Sequence, residues 1–240
     1  MALDSETFDL MKDAVSRFVR EKLVPAEDKV EETNDVPEEI IQEMRELGLF
    51  GLSIPEEYGG LGLSMEQECE VIHELCKASL AFRSVIGTTV GIGSQGLVMT
   101  GTEEQKRQYL PRLASGEIMS SFCLTEPEAG SDAASLRTVA VRDGDDYVLN
   151  GTKRYITNAL RAGMLTVMAR TDSSKKGASG ISAFLVDPAT SGITIAKADE
   201  KMGQRGTKTS DVIFEDARIP AAALLGGAEG QGFYTAKVLD

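Results

Sequence analysis

Phe122-Cys-Leu-Thr-Glu-Pro-Glu-Ala-Gly-Ser-Asp132, followed further on by Tyr155-Ile-Thr-Asn158, decides how this chain is read. The first segment sets two hydroxyls, a proline and a glycine in one short loop. Thr125 and Ser131 can each donate and accept a hydrogen bond. Gly130 lets backbone come close to a ligand, and Pro127 fixes the path of the loop. The second segment follows Asn150-Gly151, a pair that predicts a tight hairpin turn. Beyond it, Tyr155 and Thr157 are two positions apart and therefore on one side of a strand. Together the segments describe a polar clamp beside an aromatic wall, suited to a planar ligand rich in hydrogen-bonding groups.

Outward from this clamp the apolar period changes once, near Ser120. Before it the chain reads as helical. Phe8, Met11, Val15, Phe18 and Val19 form one stripe at three- and four-residue spacing. A second helix runs from about Pro37 to Leu47, with Gly48 as its stop. Ser64 with Gln67, and Thr102 with Gln105, are capping-box patterns that start two more. Gly87, Gly91, Gly93 and Gly96 lie in an apolar stretch that admits two readings, close helix packing or a floor for an acyl chain.

After Ser120 the pattern is of strands. Val139–Val141 and Tyr147–Leu149 flank an Asp143-Gly144 turn, and Asn150-Gly151 turns into Thr152–Ile156. Residues 164–169, 181–186, 193–196 and 212–214 are further strands. Turns so close together predict an antiparallel β-barrel or sandwich, giving an α+β multidomain chain whose N-terminal domain is all-α. Phe233, Ala236, Lys237 and Asp240 return to helical spacing.

Composition narrows the function classes. The 25 basic and 38 acidic residues give a net charge of −13, against binding to nucleic acid or an anionic membrane. No apolar run has the length of a membrane span, and Met1-Ala-Leu-Asp-Ser-Glu6 lacks the features of a leader, so the expected location is cytoplasmic. Cys69 and Cys76 are read as buried small hydrophobes, and Cys123 as a packing residue. The single histidine, His73, is read as a surface or internally satisfied residue rather than a catalyst, and with no paired cysteines neither a metal centre nor a Ser-His-Asp hydrolase is expected.

The two opening segments resemble the flavin-binding loops of the acyl-CoA dehydrogenases. Gly51-Leu-Ser-Ile-Pro-Glu-Glu-Tyr-Gly-Gly-Leu-Gly62 resembles the loop after that family's second helix. Lys201-Met-Gly-Gln-Arg-Gly206, Val212-Ile-Phe-Glu-Asp216 and Gly230-Gln-Gly-Phe233 are similar to its later landmarks, in order. The resemblance covers essentially the whole chain. It implies a helical N-terminal domain at 1–117, a β middle domain at 118–227, and at 228–240 the first turns of a truncated C-terminal helical domain.

It also implies a chemistry: FAD-dependent oxidation of an acyl-CoA to the trans-2-enoyl-CoA, as in the β-oxidation of fatty acids. A carboxylate removes one proton while a hydride passes to the flavin, because no side chain accepts a hydride. The implied partners are the acyl-CoA, an electron-transfer flavoprotein and further copies of the chain in a tetramer or dimer. By resemblance, Phe122, Leu124, Thr125, Gly130, Ser131, Tyr155, Ile156 and Thr157 hold FAD, with Tyr155 where many relatives carry tryptophan. The same resemblance implies that Ser131, Ser179 and Gly180 touch the CoA portion of the substrate.

The family's base is a glutamate of the C-terminal domain, so it is expected beyond Asp240. No catalytic residue is nominated within the chain, which alone is expected to be inactive. Glu126 and Glu128, one on each side of a proline, are read as solvated or capping. Arg205 is open between meeting an anionic group and a structural ion pair. Two alternatives for function also stay open: a non-catalytic or split flavin- and acyl-CoA-binding subunit, and an oxygen-using flavoprotein of the same fold.

Overall fold

Asp4 accepts a hydrogen bond from the Thr7 N–H and opens α1 (Ser5–Phe18), which buries Phe8, Val15 and Phe18 on one face. This is the expected stripe, with Met11 partly buried against it. The computed structural model describes residues 3–235. A π-register segment, Val19–Leu23, carries α1 into α2 (Val24–Thr33), whose second residue is Pro25. Proline donates no N–H and its ring crowds the carbonyl four residues back, so the wider turn just before it relieves both. Asn34 in the left-handed region ends α2. After Pro37, α3 (Glu38–Glu46) buries Ile40, Ile41 and Met44 and stops at Leu47, ahead of Gly48 at φ 71°.

Both expected capping boxes are present, at the starts of α4 (Met65–Leu75) and α7 (Glu103–Ala114). Between them the glycine-containing stretch is helical as well: α5 (Leu80–Gly87), a second π-register segment (Thr88–Gly93) and α6 (Gln95–Thr100). Its two readings separate by position. A Cβ at Gly93 would lie 1.6 Å from Ser120 Oγ, whereas a Cβ at Gly91 would meet nothing within 4 Å. Close packing on the sheet therefore requires glycine at 93 alone of the two.

The sheet has seven strands: β1 (Met119–Cys123), β2 (Val139–Asp143), β3 (Asp146–Thr157), β4 (Ala162–Arg170), β5 (Ile181–Val186), β6 (Ile193–Ile195) and β7 (Thr209–Pro220). Their order is β1-β4-β2-β3-β7-β6, with β5 also paired to β4. The expected architecture, a helical domain followed by a β domain, is present, and most strand pairs are antiparallel as expected, but the sheet is mixed. β1 pairs β4 in parallel, and β2 touches β4 in parallel at Val139 and Arg170. The loop and hairpin between β1 and β4 give the chain length enough to return in the same direction.

The expected hairpin at Asn150-Gly151 is also corrected. β3 runs straight through it, because the pair sits in a bulge where Glu215 and Asp216 of β7 face Asn150 alone. Asn150 bonds Asp216 twice, from its Nδ2 to the carboxylate and from the Asp216 N–H to its Oδ1. Gly151 takes φ 148°, and a Cβ there would lie 2.7 Å from Thr138 Cα.

Three apolar clusters knit this together. One lies among the N-terminal helices and one inside the sheet. The third joins Ile54, Leu97, Leu110 and Leu113 of the helical part to Phe122, Met164 and Ile181 of the sheet. Polar contacts fix the same junction. Asn158 Nδ2 donates to Ser84 O at 2.8 Å and Thr88 Oγ1 at 2.9 Å. Asp35 takes Lys208 at 2.7 Å and also pairs with Arg161. Arg205 donates to the carbonyls of Glu31 and Glu32 and pairs with Glu31, so of its two open roles the structural one is seen.

Cys69 and Cys76 are exposed, against expectation, because α4 buries Val71 and Leu75 and the cysteines lie one position off that stripe. Cys123 is fully buried, which pushes its thiol up to about 12. His73 is at the surface. α8 (Gly232–Thr235) carries the helical spacing at Phe233; Ala236, Lys237 and Asp240 lie outside the described residues. Among the described residues no helix is long and apolar enough to cross a membrane, and no cluster of metal-ligating side chains occurs.

The contrast between the two glycines is testable. Gly93→Ala should cost about 1–3 kcal/mol through overpacking against Ser120, while Gly91→Ala should leave the melting temperature unchanged or higher. Equal melting temperatures for the two variants would contradict the close contact.

Candidate functional site

The two opening segments meet in space, and backbone does most of the joining. The Arg154 N–H donates to Thr125 O at 2.8 Å, and Ser121 Oγ donates to Thr157 O at 2.7 Å. Thr125 and Thr157 are each half-buried. Ile156 between Tyr155 and Thr157 is 2% exposed, which leaves those two on the more open side. Phe122 and Ile156 belong to apolar clusters, so what they offer a ligand is backbone. Leu124 packs partly against the junction cluster.

Tyr155 is placed by a second bulge. Lys153 pairs with Val212 and Ile156 with Ser210, so Arg154 and Tyr155 together oppose Asp211. Tyr155 takes φ 59°, a conformation costly for a bulky side chain, and is 61% exposed. An aromatic held outward in this way is a platform. Gly130 is exposed, and a Cβ there would meet nothing within 4 Å. Nothing in the chain itself requires glycine at 130, and the open space suits close approach by another molecule.

Beneath the loop lies a pair that the sequence reading missed. Lys153 Nζ, fully buried, donates to Glu126 Oε1 at 2.8 Å and to Leu124 O at 3.1 Å. Glu126 also accepts from the N–H groups of Arg137 at 2.6 Å and Thr138 at 2.9 Å. The expectation that Glu126 is solvated is corrected: it is 7% exposed, because Lys153 gives it a partner inside. It does cap backbone N–H groups. Burial pushes the Glu126 carboxyl up, but the charge and hydrogen bond of Lys153 outweigh this and hold it below the ordinary value. Burial lowers the Lys153 ammonium below its own usual value. Glu128 is exposed and pairs with Arg137. The signal for Lys153 was present in alternation, since Tyr147, Leu149 and Lys153 share one parity along β3 and all are buried.

The second group of expected residues is gathered by Arg170, also unforeseen. Its guanidinium donates to Ala134 O at 2.9 Å, Lys175 O at 3.2 Å and Gly177 O at 3.3 Å. This draws the loop after Ser131 toward the loop of Ser179 and Gly180. Gly180 is buried, and a Cβ there would lie 2.4 Å from Asp172 O, so its smallness serves packing. Ser179 is exposed and, with Ala178, Gly230, Phe233 and Tyr234, lines a groove of about 330 Å³.

Against known proteins, the family model for the acyl-CoA dehydrogenase N-terminal domain matches residues 5–117, and that for the middle domain matches residues 121–217. The chain is 40% identical over 227 residues to an acyl-CoA dehydrogenase of Bacillus subtilis (strain 168), covering 95% of itself and 59% of that relative. It thus spans less than two thirds of the length of the curated relatives it matches. The butyryl-CoA dehydrogenase of Megasphaera elsdenii superposes with a TM-score of 0.92 at 33% identity, over 100% of this chain and 63% of that one. An acyl-CoA dehydrogenase from Bacillus anthracis, complexed with FAD, superposes with a TM-score of 0.88 at 35% identity, over 99% and 40%.

Lys153→Met should destabilise the chain by about 3–5 kcal/mol, because it leaves the Glu126 carboxylate buried and unpaired. The depressed Glu126 value has its own consequence. Its contribution is complete above the unfolded value of 4.5 and is lost as pH falls through the folded value. Urea midpoints measured down through the acid range should therefore fall less steeply for Glu126→Gln than for the wild type. Parallel pH curves would remove Glu126 from the account.

Proposed function

We propose, for a chain that belongs to the acyl-CoA dehydrogenase family, that residues 122–131 and 155–157 hold FAD in an enzyme that oxidises an acyl-CoA to its 2-enoyl form. The observation that carries this is the bulge presenting Tyr155 outward beside the Thr125 loop. FAD supplies the hydride acceptor that no side chain provides, and the relative bound to FAD supports its assignment here.

The residues fit such a ligand. Tyr155 offers a flat face for stacking. Thr125 and Thr157 offer hydroxyls to the polar edge of the ring, and the backbone of Phe122, Leu124 and Ile156 offers further donors and acceptors. The open space at Gly130 leaves clearance for a bulky group. Ser131, Ser179 and Gly180 are assigned to the CoA portion, with the Ser179 groove as part of its path. Removal of the substrate proton is assigned to a carboxylate outside these residues. Of the two candidates near the clamp, Glu126 is committed to Lys153 and two backbone N–H groups, and Glu128 to Arg137.

The reading includes the division at 1–117, 118–227 and 228–240. It also includes an electron-transfer flavoprotein as acceptor, assembly with further copies of the chain, and a place in β-oxidation.

Titration with FAD, followed by absorbance and protein fluorescence, tests the first step. The wild type should bind FAD, and Thr125→Ala and Thr157→Ala should each weaken binding about two- to tenfold through loss of one hydrogen bond. Failure of the wild type to bind FAD would sink the reading. Bleaching of the bound flavin by an acyl-CoA without oxygen tests the second.

A further inference from the structure

Arg154 stands out because the same bulge that re-aims Tyr155 also supplies its backing. The guanidinium lies 4.4 Å from the centre of the Tyr155 ring. It is not free to wander: Nη1 bonds Asp211 at 2.6 Å, and Nη2 pairs with Asp199 at 3.2 Å. Asp211 is the β7 residue that faces the bulge. Asp199 is fixed to β7 in turn, donating its N–H to Thr209 O at 2.8 Å and accepting from Thr209 Oγ1 at 2.8 Å. A chain of contacts therefore runs from β7 through two carboxylates and one guanidinium to a single exposed ring. The ring has one covered face, remains 61% exposed, and sits on strained backbone.

We propose that Arg154 is a positioning residue for flavin binding: held by Asp199 and Asp211, it backs one face of Tyr155 and keeps the other open for stacking on the flavin. The assignment rests on the flavin reading above. A guanidinium suits the task because it is flat, permanently charged and forked, so it can lie on a ring while bonding two carboxylates. A lysine could keep an ion pair but could not lie flat. The cation also draws electron density from the ring face it covers, which alters how the opposite face stacks.

The experiment compares FAD binding and the visible absorption and circular-dichroism spectra of bound FAD across five proteins: wild type, Arg154→Met, Arg154→Lys, Tyr155→Ala and the double variant Arg154→Met with Tyr155→Ala. Arg154→Met should weaken FAD about two- to fivefold, the size of an exposed cation–π contact, and shift the visible bands. Arg154→Lys should keep the wild-type melting temperature yet show the shifted bands. In a Tyr155→Ala background, Arg154→Met should add no further loss, the non-additivity expected of contacting residues. A lower melting temperature for Arg154→Met with FAD affinity and spectrum unchanged would overturn the inference and leave the flavin reading standing. So would equal effects of the substitution with and without Tyr155. Absence of FAD from the wild type would overturn the reading and the inference with it.

Discussion

A single buried cation holds the candidate site together. Lys153 has no exposed surface, and its ammonium is satisfied by one carboxylate and one carbonyl, both from the loop that follows β1. An unpaired charge in that position would be far too costly, so the loop must close over β3 for the sheet to form. Glu126 extends the constraint by accepting the N–H groups of Arg137 and Thr138, just before β2. The loop of Thr125 to Ser131 is thus anchored at its first residues to β3 and to the segment that leads into β2. A flexible polar segment would lose conformational entropy on meeting a ligand, whereas one anchored in this way has lost much of it already.

The two bulges in the β3–β7 ladder act in opposite senses. At Asn150 the extra residue is on β7, and the strands are re-sewn by the Asn150 and Asp216 side chains. At Arg154 and Tyr155 the extra residue is on β3, and it turns an aromatic outward that regular alternation would not expose with its neighbour. Between them β3 keeps Lys153 inward. One strand therefore provides core, buried charge and an exposed aromatic within a few residues, by shifting its register twice.

The helical half was legible because its signals are local. Capping boxes at Ser64 and Thr102, the stop at Gly48 and the stripe through Phe8 and Val15 are written in spacing, and tertiary packing did not overrule them. What misled were signals whose meaning depends on a distant partner. Asn150-Gly151 is a hairpin turn only when nothing across the sheet claims Asn150, and Asp216 claims it. Glu126 looked solvated in its exposed-seeming loop because its counterion is 27 residues away. Cys69 and Cys76 looked buried because a seven-residue interval says that two residues share a face, not which face is covered. The motif brought the residues of the proposed clamp to notice, but the reason Tyr155 faces outward is a register shift that no spacing announces.

The charge of the site follows from the same contacts. The whole chain is acidic, yet an adenine dinucleotide and a CoA thioester carry phosphates of the same sign. The cations near the clamp do not form a free positive field, because each is matched. Lys153 meets Glu126, Arg137 meets Glu128, Arg154 meets Asp199 and Asp211, and Arg170 is turned onto carbonyls. Around the exposed Tyr155 ring, Thr125 and Thr157 are half-buried and Gly130 and Ser131 are exposed. In a protein of this charge, long-range attraction would add little to the binding of an anionic ligand, and shape and hydrogen-bond pattern would have to supply the recognition. The matched cations instead work on the protein itself, setting the loops and the ring against which a flat ligand can lie.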